Sequence, residues 1–168
     1  LGQTWTGDLD SFDDGAWSLA TPGLGWENTE TGNLVPAITT DIKNQMKGTN
    51  ACGYFRWRFD FDNAERINAL LLRVSIDDGF VAYLNGTWIG DFNAPDPSLW
   101  NSAANGTRRD TTVLSTPIEI DASAFKSAVR NGSNTLAIQG MNTDREGLDF
   151  LIDAALEVNH SLVASSLV

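Results

Sequence analysis

Residues 77–86 read DDGFVAYLNG, and this string decides the fold. Residues 80–84 (FVAYL) form a short strand signal that runs straight into Asn85-Gly86. That dipeptide is the strongest hairpin signal in the chain, because a two-residue type I′ turn needs positive φ at both positions. Residues 87–91 (TWIGD) then return antiparallel. Upstream, residues 70–76 (LLLRVSI) are nearly continuously apolar, as expected of a central strand buried on both faces. Further back, residues 54–61 (YFRWRFDF) alternate strictly. Phe55, Trp57, Phe59 and Phe61 share one face; Tyr54, Arg56, Arg58 and Asp60 share the other.

Downstream, residues 93–109 form a long loop rich in Pro, Ser, Asn and Gly that holds Trp100. Loops of that length on a small domain are often functional. Residues 116–120 and 136–139 read as strands. Between them Asp121 caps a short helix over 122–130, stopped by Asn131-Gly132. Residues 148–158 form the last strand, with Phe150, Ile152, Ala154, Leu156 and Val158 on one face and Asp149, Asp153 and Glu157 on the other. The first fifty residues carry no sustained period. There residues 10–17 predict a turn that drops Phe12 and Trp17 onto the core, and residues 41–47 predict one or two helical turns. Short strands, turn residues and scraps of helix predict an all-β antiparallel β-sandwich with one or two short helices. Residues 1–158 are expected to form a single domain and residues 159–168 a tail or linker.

The chain has 168 residues, enough for one self-sufficient core. Its net charge of −11 repels polyanions, so nucleic acid and anionic membrane are poor partners, whereas calcium is attracted. Cys52 is the only cysteine, which excludes an internal disulfide and a thiolate metal site. The chain starts on Leu1 without a basic-then-apolar leader, and is read as a mature or excised piece.

The string DDGFVAYLNG belongs to a recognisable series. It includes Tyr54-Phe55-Arg56, Leu70-Leu71-Leu72-Arg73-Val74, Asn93-Ala94-Pro95, residues 132–140 (GSNTLAIQG) and Asp149-Phe150-Leu151-Ile152. Together these resemble the galactose-binding-like jelly-roll domains of large secreted bacterial proteins, which sit beside lamin-tail, spore-coat-kinase-like or glycoside-hydrolase modules. The resemblance implies a jelly roll and extracellular or cell-surface residence. Many such domains bind sugars like carbohydrate-binding modules; others bind protein or lipid, so the fold alone does not assign function.

Asp77-Asp78 is a carboxylate pair of the kind that hydrolyses glycosides. Adjacent strand residues point to opposite faces, however, so the favoured reading is a turn whose carboxylates accept backbone N–H bonds. His160 stands in the expected tail, and no phosphate-cradling loop or nucleophile–base motif is present, which argues against an enzyme. The six tryptophans carry the functional argument, because an exposed indole matches the flat C–H face of a sugar ring. Trp17 is expected in the core, and Trp5, Trp26 and Trp100 under loops, with Trp26 and Trp100 able to edge a site. Trp57 shares its face with three phenylalanines. Trp88 should point outward because Ile89 takes the inward alternate; it either forms a platform with Phe92 or packs on a neighbouring strand or module.

The expected ligand-binding set is therefore Trp88, Phe92, Asn93, Trp100, Arg108 and Trp57, with arginine and asparagine orienting sugar hydroxyls. Acidic clusters at Asp8, Asp10, Asp13 and Asp14 and at Asp149, Asp153 and Glu157 suggest a structural Ca2+, with Asp8, Asp153 and Glu157 as nominal ligands. Solvated acidic loops are the alternative. The functional expectation is a non-catalytic carbohydrate-binding module that tethers a larger secreted protein to a polysaccharide. A structural or protein-interaction spacer is the alternative.

Overall fold

The computed structural model describes residues 4–7, 12–30 and 32–160. Among the described residues nine strands form two sheets. They are β1 (Leu24–Glu27), β2 (Thr40–Asp41), β3 (Cys52–Phe61), β4 (Ile67–Asp77), β5 (Gly79–Leu84), β6 (Thr87–Phe92), β7 (Ile118–Asp121), β8 (Gly132–Met141) and β9 (Asp149–His160). The five-stranded sheet runs β2-β1-β9-β4-β7 and the four-stranded sheet β3-β8-β5-β6. Every pairing is antiparallel except β1 with β2. From β2 onward the chain changes sheet at each connection except the β5–β6 hairpin. The result is the expected all-β sandwich.

The hairpin behaves as its sequence dictates. Asn85 and Gly86 have φ of 48° and 86°. The Asn85 side chain also locks the turn to β8: its Nδ2 donates to Asn134 Oδ1 at 2.7 Å and its Oδ1 accepts from Thr135 N at 2.8 Å. The alternation in β3 holds, with Phe55 buried and Trp57, Phe59 and Phe61 packed against the same core. Leu70, Leu72, Val74 and Ile76 of β4 face them across the sandwich. Stacked rings tie the sheets together. Trp26 of β1 lies 5.3 Å from Phe150 of β9, and Phe150 lies 6.2 Å from Phe55 of β3.

Several expectations are corrected. β4 is not buried on both faces: Leu71, Arg73 and Ser75 are only half-buried, and Arg73 ion-pairs with Glu119 and Glu157 on the outer face. The first fifty residues contain β1 and β2, which were not anticipated. The stretch over 122–130 winds as a 3-10 segment, Ser123–Ala128, and a short helix, α2 (Asp110–Ser115), closes the long loop instead. β9 continues through Asn159 and His160, where His160 pairs with Ile67 and stacks on Phe61 at 5.4 Å.

Candidate functional site

An open groove of about 890 Å³ runs beside β3, at the free edge of the four-stranded sheet. Its volume falls in the range of small-ligand sites. The floor is apolar: Phe55 and Trp57 of β3, Leu24 of β1, Ile42, and Met46 at the end of the single-turn helix α1 (Lys43–Met46). Trp17 and Trp100 are walls, and Asp14, Gln45, Asn50 and Arg58 supply a polar rim. Sheet edges are where a sandwich exposes both inner-face side chains and unpaired backbone. This groove uses that opening.

Trp100 is 67% exposed, yet its backbone is fixed. Tyr54 Oη and Cys52 Sγ donate to its carbonyl at 2.7 and 3.2 Å, and Gln139 Nε2 donates to the Leu99 carbonyl at 2.8 Å. Burial pushes both the Cys52 thiol and the Tyr54 hydroxyl above their ordinary ranges, so both remain protonated donors at neutral pH. An aromatic ring presented to water on an anchored loop loses little entropy when a ligand covers it. On the opposite wall, Asp14 organises the turn that carries Trp17. Its carboxylate is almost fully buried, accepts from Arg56 Nε at 2.7 Å and pairs with Arg58. Arg56 also donates to the Trp5 and Gly7 carbonyls and lies over the Phe12 ring.

The six expected ligand residues do not form one site. Trp57 and Trp100 line the groove together. Trp88 stands on β6, the opposite edge of that sheet, 46% exposed with its ring edge-on to Phe125 at 5.6 Å. Phe92 faces inward against the core, with the Arg108 guanidinium over its ring. Arg108 is spent on the carbonyls of Ile76, Thr112 and Thr116. Asn93 closes the base of the long loop, donating to the Asp78 and Gly106 carbonyls at 3.3 and 3.2 Å. Phe92, Asn93 and Arg108 are thus structural. Trp17, expected in the core, is only partly buried and is a groove wall packed on Phe12. Sequence reading passed over Gln45 and Asn50, which carry no motif.

The carboxylate pair is buried too, with Asp77 and Asp78 at 3% and 4% exposure, and neither lines the groove. As expected of a turn residue, Asp78 accepts backbone N–H bonds, from Arg108 at 2.7 Å and Thr143 at 3.1 Å. The two side chains do not diverge, because the chain crosses from one sheet to the other here and strand alternation lapses. Burial, then Asp78, then Asp149, push the Asp77 carboxyl up to about 9. Of the nominal calcium ligands, Asp8 lies outside the described residues. Asp153 is exposed on the outer face of β9, and Glu157 is ion-paired with Arg73 at 2.9 Å. Neither Asp153 nor Glu157 belongs to a group of three or more potential metal ligands among the described residues.

No family model matches the chain, and no curated protein matches it. Solved structures do. A β-glucuronidase from Bacteroides uniformis aligns with a TM-score of 0.55 and 16% identity over 92% of this chain. An α-L-rhamnosidase from Streptomyces avermitilis, complexed with L-rhamnose, aligns at 0.48 and 15% over 84%, and one from Aspergillus terreus at 0.44 and 12% over 69%. The chain spans 16%, 10% and 13% of those chains respectively. At such identity the likeness is one of fold alone: this chain folds like part of the Bacteroides uniformis β-glucuronidase.

Proposed function

We propose that the domain is a non-catalytic carbohydrate-binding module that holds a polysaccharide chain in the groove beside β3. The observation that carries this reading is the placing of Trp17, Trp57 and Trp100 around one open apolar cleft with a polar rim. Stacking one sugar face on an indole covers roughly 80 Å² and contributes about 2 kcal/mol. Two such platforms reach about 4 kcal/mol, which corresponds to roughly millimolar affinity. Gln45, Asn50 and Arg58 stand where they can bond sugar hydroxyls. No bond is made or broken in this proposal: the paired carboxylates Asp77 and Asp78 are buried, and neither lines the groove. Such a module belongs to a longer extracellular chain and works beside neighbouring modules. Among the described residues no helix is long and apolar enough to cross a membrane.

The test is calorimetric titration against a panel of soluble polysaccharides. Trp100→Ala is expected to weaken the best ligand by about 30-fold, the equivalent of one lost platform. Trp88→Ala, on the far edge, should leave affinity unchanged. Equal affinity in Trp100→Ala and wild type, or no binding by any glycan, would remove the groove as a sugar site. A second reading, protein docking as a spacer module, draws on Leu19 and Leu99. Leu19 lines the groove at 101% exposure, and Leu99, next to Trp100 in sequence, is 59% exposed. A panel without hits, together with self-association lost in Trp100→Ala, would favour that reading.

A further inference from the structure

We propose that the polysaccharide is acidic and that Arg58 holds the anionic group of one of its sugars; this rests on the groove beside β3 being a sugar site. The chain as a whole carries 22 acidic and 11 basic residues. The groove reverses that balance. Among the described residues its charged lining side chains are Asp14, Arg56 and Arg58, two cations to one anion. A local surplus of positive charge on an acidic chain favours a ligand that brings negative charge to that spot.

The single negative charge is already matched from within. Arg56, whose side chain is 2% exposed, donates through Nε to Asp14 Oδ2 at 2.7 Å. Arg58 is the surplus cation. It meets the same carboxylate through Nη2, yet its side chain is 44% exposed. A guanidinium carries five N–H donors in a planar fork, so one arm can stay on Asp14 while another takes a second oxyanion. An ion pair on so exposed a group contributes little, and sharing it costs little. A carboxylate and a sulfate both suit the fork, because each presents paired oxygens. Asp14 also ties the cation to a stacking ring: its carbonyl accepts from Trp17 N at 2.9 Å, and Trp17 is a groove wall. One buried residue thus positions an aromatic wall and an exposed guanidinium in the same groove. The net charge of −11 opposes polyanions at long range, but in 0.15 M salt that field is screened within about 8 Å, so the nearest charges dominate.

The experiment is calorimetric titration of the whole chain in 0.15 M salt, with each acidic polymer run beside its neutral counterpart. The pairs are a uronate polymer with its carboxyl-reduced form, and a sulfated galactan with its desulfated form. The charged member of at least one pair is expected to bind about 3- to 5-fold more tightly than its partner, and the responding pair tells carboxylate from sulfate. Arg58→Gln should bring that ratio to about one, and Arg58→Lys, which keeps the charge and loses the fork, should leave it in between. Trp100→Ala should weaken both members alike and keep the ratio. Arg58 is exposed enough that both of its variants should fold, with Tm close to wild type. A neutral polymer as the best ligand, still weakened by Trp100→Ala, would overturn the acidic class and leave the groove standing as a sugar site. A ratio unchanged in Arg58→Gln would overturn the assignment to Arg58. No binding by any polymer would remove the groove reading and this proposal with it.

Discussion

Trp26→Ala is expected to lower the free energy of unfolding by about 3–5 kcal/mol, measured by urea denaturation. Trp26 is 2% exposed and stacks on Phe150, which in turn stacks on Phe55, so one indole joins β1 to the ring column between the sheets. β1 has only four residues, and its backbone bonds alone would not hold it. Alanine would leave a cavity that the strands cannot collapse around, because Gly25 beside it already sits against β9. A Cβ at Gly25 would fall 2.1 Å from the Phe150 carbonyl. Since domains of this size are stable by about 5–15 kcal/mol, the variant should be near the edge of folding. Trp26→Phe is the informative companion. The indole Nε1–H of Trp26 is buried without a hydrogen-bond partner, so phenylalanine sheds an unsatisfied donor along with some contact area. A loss below about 2 kcal/mol is expected for it. If Trp26→Ala lost less than about 1 kcal/mol, the ring column would not be what fastens β1.

The parts of this fold that could be read from sequence are those whose cause is local. Period two in β3 and the Asn85-Gly86 turn are set by near neighbours, and the structure reproduces both. β1 and β2 escaped because four and two residues, set among Gly, Asn, Thr and Pro, carry no period of their own. Leu24–Glu27 becomes a strand only because β9, more than a hundred residues later, offers Leu151 and Phe150 as partners. The groove was half legible for the same reason. Trp57 and Trp100 were picked out as aromatics, but which ones meet depends on which strand lies at which edge of the sheet. β3 and β6, carrying Trp57 and Trp88, lie at opposite edges of one sheet. Phe92 and Arg108 misled because their partners, the core and three loop carbonyls, are nonlocal. The acidic residues misled similarly. Asp149, Asp153 and Glu157 share a strand face, yet Glu157 is drawn to Arg73 while Asp149 meets Glu27 and Asp110 at the strand end.

Asp78→Ala is expected to cost about 2–5 kcal/mol of stability, because it strands two backbone donors at once. The Asp78 carboxylate, 4% exposed, accepts from Arg108 N with one oxygen and Thr143 N with the other, and so ties the ends of two loops to the β4–β5 crossing. Asp77, protonated at neutral pH because its carboxyl is pushed up to about 9, loses a hydrogen-bond partner in the same variant. Asp78→Asn should fall between wild type and alanine: its carbonyl keeps one bond, and its amide meets the other N–H donor to donor. Hydrogen exchange separates this account from a general loosening. The Arg108 and Thr143 amides should lose protection in Asp78→Ala before those of β8 do. Sugar affinity, by contrast, should be unchanged at temperatures where the variant is folded. Trp100, midway along the same loop, is held by Tyr54, Cys52 and Gln139, while the Asp78 carboxylate bonds Arg108 N and Thr143 N. Unaltered stability and protection in Asp78→Ala would mean that water replaces the carboxylate without penalty. A large loss of affinity in the folded variant would mean that the loop moves as one piece and that the anchors around Trp100 do not hold it alone.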